Sequence, residues 1–280
     1  MKVILVIFSL LTIICCSHKE KINLKPITLE FPIILEKETK IDKIRDGIYV
    51  ATDLQFYNSN ILVAKMKDGT VVLASSPYEN LGTRRLIKWI KAHLTPKKIV
   101  AINTHFHSDG TAGNQVYHEE GVETWASQMT AKLQMTEGKK IRPLLLRNQK
   151  KPIQERIKST RFETAKNLFD ETLGKTFSFS GEKVKVYYPG EAHSPDNVIV
   201  YLPNKKTLFG GCMVKPKSLG WLKHANIQAW EQSAKNLLQF DVTHVIPGHG
   251  KWGDKSLIEK TIEVAKKAAN QKHILKKSFH

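Results

Sequence analysis

Cysteine is scarce in this chain, acidic residues are in the minority, and no apolar run is long enough for a comfortable membrane span. Only three cysteines occur, at positions 15, 16 and 212. The first two lie in an apolar leader, so Cys212 stands alone in the folded body and a disulfide-stapled scaffold is excluded. The longest apolar run extends from Val3 to Leu11 and on through Ile13 and Ile14, interrupted by Ser9. It falls short of the roughly 20 residues that cross a bilayer, which excludes a polytopic membrane protein. Internal repeats and low-complexity tracts are also lacking. With 41% hydrophobic and 25% charged residues the composition is that of a globular chain, neither disordered nor collagen-like.

Asp and Glu number 26 against 44 Lys and Arg, a formal charge of +18. Such a surface favours anionic partners. The excess is uneven: between Lys132 and Asn167 eleven Lys and Arg face only Glu137, Glu155 and Glu163. No recognised nucleic-acid motif accompanies the charge, so no nucleic-acid partner is expected.

Lys2 followed by the apolar run reads as a secretory signal. The run stops at Cys15-Cys16-Ser17, which resembles a bacterial lipoprotein signal whose first mature residue is a lipidated Cys; simple cleavage is the alternative. Residues 1–16 are therefore expected to be a leader, 17–44 a tether and N-terminal segment, and 45–272 one domain. The expected location is the periplasm, with or without a lipid anchor, and the expected state is a monomer. A lone thiol in an oxidising compartment must be buried or held as a metal thiolate.

Strand-like runs fall at Gly47–Thr52, Ile61–Met66, Thr70–Ala74, Ile99–Ile102, Lys183–Tyr188, Val198–Leu202, Thr207–Phe209 and Val242–Ile246. Between them, Leu81, Leu86, Ile87, Ile90 and Leu94 recur at helical spacing, and further helices are expected near Ala225–Phe240 and Ser256–Lys272. This alternation predicts one layered α/β domain. In the basic region 127–169, Pro152 opens a helix whose thin apolar stripe is Ile153, Ile157, Ala165 and Leu168. It reads as a solvated surface helix, with a lid over the functional site as the alternative.

The chemistry concentrates at strand ends. Directly after Ile99–Ile102 comes Asn103-Thr104-His105-Phe106-His107-Ser108-Asp109-Gly110. A turn there can aim His105 and His107 at one ion while Asp109 reaches towards a second. His193, Cys212 and His249 follow three other predicted strands. Loops at strand ends are where a rigid scaffold carries reactive groups, so six candidate ligands on four loops can converge on one cleft.

These motifs resemble the metallo-β-lactamase superfamily, and within it the class B β-lactamases that keep a Cys ligand, over roughly residues 45–270. The resemblance implies an αββα sandwich with two mixed sheets flanked by helices. It implies two Zn²⁺ ions, one held by His105, His107 and His193, the other by Asp109, Cys212 and His249. It implies a β-lactam as substrate, opened at its amide by a zinc-bound hydroxide that Asp109 orients as the catalytic carboxylate. Lys215 matches the residue that pairs with the drug's carboxylate, and Trp221 and Asn197 are the other expected substrate contacts. Other hydrolases of the superfamily usually have a His after the motif Asp and an Asp in place of the Cys, where this chain has Gly110 and Cys212. A di-zinc hydrolase of another ester, lactone or thioester is the runner-up. The chain departs from the β-lactamases at Trp221, where Asn is common, at His224, where Asp is usual, and at Gly110, where Arg, Ser or Cys is usual. The segment Leu54–Asn60 replaces a longer hairpin, so the flap over the cleft is expected to be short.

Overall fold

The computed structural model describes residues 29–147 and 149–277. The expected leader, with Cys15 and Cys16, lies outside the described residues. The described residues from 31 onwards form a single unit. Its first half runs β1 (Ile33–Leu35), β2 (Thr39–Arg45), β3 (Ile48–Asp53), β4 (Ser59–Lys65), β5 (Thr70–Ala74), α1 (Asn80–Leu94), β6 (Lys98–Ile102), α2 (Ser108–Thr111), α3 (Asn114–Glu119) and β7 (Glu123–Ser127). Three helices follow, α4 (Gln128–Thr136), α5 (Gly138–Leu146) and α6 (Lys151–Ser159), then β8 (Asn167–Phe169). The second half contains β9 (Lys175–Phe179), β10 (Glu182–Tyr187), β11 (Ile199–Leu202), β12 (Thr207–Gly211), α7 (Ile227–Lys235), β13 (His244–Pro247) and α8 (Ser256–Lys277).

The strands build two mixed sheets, one ordered β1 through β8 and the other β13-β12-β11-β10-β9. Alternation along each strand explains their stacking, because successive side chains point to opposite faces. From the first sheet, Ile48, Val50, Leu62, Val72 and Ile102 meet Val184, Val186, Val200, Phe209 and Ile246 of the second in one shared core. The intervening residues Tyr49, Ala51, Val63, Val71 and Leu73 turn the other way and pack under Leu86, Ile87, Trp89 and Ile90 of α1. Likewise Ile199, Tyr201, Leu208 and Val245 pack against Trp230 of α7 and Ile258 of α8. Both sheets are thus covered by helices on their outer faces, giving the expected αββα sandwich. The middle strands β5 and β6 pair in parallel and are buried almost throughout, as their near-continuous apolar runs require.

Two regions differ from the sequence reading. The N-terminal segment ahead of the expected domain start at 45 contributes to the sheet: β1 and β2 pair antiparallel, and β2 continues onto β3. In the basic region, Pro152 does stand in the first turn of α6, where its missing N–H needs no partner. The helix ends at Ser159, however, so Ala165 and Leu168 are not on its stripe; Leu168 lies exposed in β8. Among the described residues no helix is long and apolar enough to cross a membrane.

Candidate metal centre

The first ligand loop leaves β6 and is fixed before its side chains are placed. Asn103 donates to the Gly110 carbonyl at 2.9 Å and exchanges side-chain hydrogen bonds with Asn114 at 2.8 and 3.0 Å. The Thr104 carbonyl accepts from the Val198 amide at 2.8 Å, tying this loop to the second sheet. Gly110 packs so closely that an added Cβ would lie 2.1 Å from the His105 carbonyl oxygen. His105, His107 and Asp109 are held by this frame and almost fully buried.

The other three loops are braced in the same manner. Beside His193, Asn197 accepts from the Ser194 amide at 3.1 Å and donates to the Gly190 carbonyl at 2.9 Å. Cys212 follows β12 where the parallel register with β13 shifts between Phe209 and Gly211. There the Gly248 amide donates to the Gly211 carbonyl at 2.7 Å, and a Cβ at Gly248 would lie 2.6 Å from the Cys212 sulfur. The two chains approach this closely because Gly248 has no side chain. His249 is oriented from its far side by a 3.0 Å hydrogen bond between Nδ1 and the Tyr57 carbonyl, which leaves Nε2 facing inwards.

All six predicted ligands meet. The ligand atoms of His105, His107 and His193 lie within 4.8 Å of one another, as do those of His105, Asp109 and Cys212. His107 Nδ1 is 3.0 Å from His193 Nε2. Cys212 Sγ is 3.0 Å and His249 Nε2 3.2 Å from Asp109 Oδ2, while His105 Nε2 is 3.4 Å from Oδ1.

Zinc fits this donor set. Buried polar atoms are normally hydrogen-bonded, yet His105 Nε2 has no hydrogen-bond partner although it is buried and faces the cluster. Three imidazoles on one side and a carboxylate, a thiol and an imidazole on the other are the N, O and S donors zinc takes. Burial, with the neighbouring His105, pushes His107 well below the ordinary imidazole range, and burial, with His107 and His105, does the same to His193. Both therefore present lone pairs. Burial alone would raise Asp109, but His105 and His249 outweigh it and hold the carboxyl well below its usual range. Burial and Asp109 raise the Cys212 thiol; His249, Lys215 and His105 prevail and bring it down to about 7. A thiolate at neutral pH is the form that ligates.

The cluster floors a cleft of about 470 Å³, within the range of about 300–1,000 Å³ usual for small-molecule sites. Lys215 lines it, without a carboxylate partner among the described residues. Trp221 stands at the rim, 41% exposed, its ring 5.0 Å from that of His107 and tilted by 61°. Asn197 corrects the sequence reading: it is buried and does not line the cleft, and both ends of its amide brace the His193 loop. The basic region corrects another. It is not simply a solvated face, because Ile141, Leu144 and Leu145 of α5 form part of the cleft wall.

His224, noted in the sequence only as a departure at a non-ligand position, has a definite place. Its Nδ1 lies 3.0 Å from His107 Nε2. With Nδ1 turned towards His193, ligation of a metal through that nitrogen would put the His107 proton on Nε2, where His224 would accept it. A partner of this kind fixes the tautomer and aim of a ligating imidazole. No spacing in the sequence announces it, because 117 positions separate the two rings.

A profile of the metallo-beta-lactamase superfamily matches residues 81–249. A metallo-beta-lactamase type 2 from Pseudomonas aeruginosa is 32% identical over 243 residues, covering 84% of this chain and 87% of the relative. A second metallo-beta-lactamase type 2, from Bacillus sp. (strain 170), is 30% identical with 84% and 86% covered. Among solved structures, a metallo-beta-lactamase from Pontibacter korlensis superposes with a TM-score of 0.69 at 29% identity, over 82% of this chain and 99% of that one. With the ligand loops and the sandwich in place, the chain belongs to the metallo-β-lactamase superfamily.

Proposed function

We propose that this protein is a di-zinc β-lactamase in which His105, His107 and His193 hold one ion and Asp109, Cys212 and His249 the other. The observation that carries the reading is the meeting of two complete donor triads on the floor of a cleft that also exposes Lys215. Zinc, when bound by such donors, acts as a Lewis acid and brings the pKa of water near neutrality. The chain's own groups do the rest. The Asp109 carboxylate, kept ionised by its surroundings, accepts a hydrogen bond from the attacking water and aims it at the lactam carbonyl. Lys215 pairs with the substrate carboxylate, which sets the ring over the floor. The buried, braced loops keep these groups in place during turnover, so that little reorganisation is needed when charge develops.

The expected measurement is two zinc ions per purified chain, loss of cephalosporin turnover on chelation and its return with zinc. Cys212→Ser should retain one ion and lose most activity. One tightly bound ion with full activity defeats the di-zinc reading. Faster turnover of a lactone or thioester than of a penicillin, a cephalosporin and a carbapenem shifts the assignment to another hydrolase. Export belongs to the same proposal, supported by the apolar leader and the Cys15-Cys16 pair. Mass spectrometry of the mature amino terminus should find an acylated Cys, and a chain beginning beyond Cys16 refutes the anchor.

A further inference from the structure

A β-lactam presents three features to an enzyme: the strained amide, a carboxylate, and an acylamino side chain. In the reading above, which this inference extends, the donor floor takes the first and Lys215 the second. The side chain must then meet the remaining walls of the cleft, and these are apolar. Tyr78 is 6% exposed and stacked on Phe56 at 4.9 Å, so little of it is open to a ligand. Tyr57 sits at the tip of the short turn with φ 58°, 58% exposed. The most continuous aliphatic surface comes from α5, where Ile141, Leu144 and Leu145 all line the cleft. Their spacing of three and four residues puts them on one helical face, opposite Lys139 and bordered by Lys140 and Arg147.

This face is held in place from behind. Leu145 and Leu146 pack with Ile153 against the buried group of Phe56, Tyr78 and Ile157, so the wall and the turn bearing Tyr57 share one small core. Arg142 donates to the Thr160 carbonyl and lies 4.5 Å over the ring of Phe162. Arg156 of α6 grips Glu38 through two 3.0 Å hydrogen bonds and reaches Glu79 at 2.5 Å. Glu79 in turn caps α1 by accepting from the Leu81 and Gly82 amides. Ile141 and Leu144 both line the cleft while belonging to none of the hydrophobic clusters among the described residues, and of the two Leu144 is the more exposed. An aliphatic side chain so placed is half-buried and faces the cleft.

We propose that Ile141, Leu144 and Leu145 of α5 form a specificity wall that receives an apolar, aromatic acyl side chain of the substrate. The wall contributes binding that the deacylated substrate cannot use, so it acts on the preference between the two substrates and not on the bond-breaking step.

The test compares benzylpenicillin with its deacylated parent, 6-aminopenicillanic acid, on the zinc-loaded protein. Leu144→Ala should lower the ratio of kcat/KM for benzylpenicillin to that for the parent about fivefold, through KM for benzylpenicillin. Leu144→Asp should lower it further, and Leu144→Met should hold it within about twofold of the wild type. A ratio unchanged in both Leu144→Ala and Leu144→Asp, or a fall confined to kcat, overturns the wall. Because Leu144 packs in no core cluster, these variants keep the fold, which a thermal melt and zinc content check. Failure of the underlying reading looks different: the wild type then opens neither penicillin, and the wall falls with it.

Discussion

The floor and the rim of the cleft are built on opposite principles. On the floor, His105, His107, Asp109, His193 and Cys212 are all buried, polar and locked by loops whose own amides and carbonyls are paired. On the rim, Tyr57 and Trp221 are exposed and largely apolar, and α5 adds aliphatic groups from a helix outside both sheets. The contrast separates two tasks. Groups that handle developing charge are fixed in low dielectric, where they act most strongly. Groups that sort substrates lie where exchange of side chains disturbs little else.

The largest effect expected from this division is at the floor. Asp109→Asn keeps the shape but removes the charge, and kcat should fall by about 10²–10⁴-fold while the melting transition is retained. A loss below tenfold would mean that the carboxylate is a brace and not a catalytic group.

His224 marks where the floor ends, because it is half-buried and touches His107 from the rim side. His224→Ala should weaken zinc retention at the three-histidine site by about 10–100-fold, measured by competition with a chromophoric chelator. His224→Asp, which can still accept the His107 proton, should restore it. Equal retention in all three proteins would place His224 among the rim residues.

Lys215 sharpens the contrast from the other side. Lys215→Ala should raise KM about tenfold with a smaller change in kcat, as expected when a charge-assisted contact is shared by ground and transition states. A fall confined to kcat would move Lys215 into the catalytic floor.

The smallest effect concerns what supports the rim. Asp53 opens the turn to Tyr57 and accepts from the Gln55 and Phe56 amides at 3.0 and 3.2 Å. Burial pushes its carboxyl up to about 6, only partly offset by these hydrogen bonds and reinforced by Glu79. The folded state therefore holds the proton more tightly than the unfolded chain. The associated stability is complete below about pH 4 and is lost as pH rises through about 6. Asp53→Asn removes this dependence and should be more stable than wild type by about 1–2 kcal/mol at pH 7.5. Urea unfolding at pH 4.5 should show a much smaller difference, and equal differences at both values would contradict the assignment.

The floor was far more legible in the sequence than the rim, for a physical reason. Ligands at strand ends leave a signature in two patterns at once, an apolar strand and a polar cluster immediately after it, so His105, His107, Asp109, His193, Cys212 and His249 could be named before any geometry was known. Asn197 shares that neighbourhood, but whether an amide faces a cleft or its own loop depends on backbone turns that the motif does not encode. In α5 the dense Lys and Arg masked a three-residue apolar face, and Pro143 inside the helix further obscured its period. The strands β7, β8 and β9 are short and mix polar with apolar residues, while β1 and β2 lie towards an edge where Lys is tolerated. His224 meets His107 only through space.

Gly110 gives the molecule an evolutionary asymmetry. The family resemblance leads one to expect Arg, Ser or Cys at this position, whereas here the first side-chain atom would collide with the His105 backbone. Diversification at that position is closed unless the entire ligand loop shifts at the same time. Stepwise adaptation to new drugs is thereby channelled to Trp221, Tyr57 and α5, and directed evolution of this chain should accumulate its early gains there.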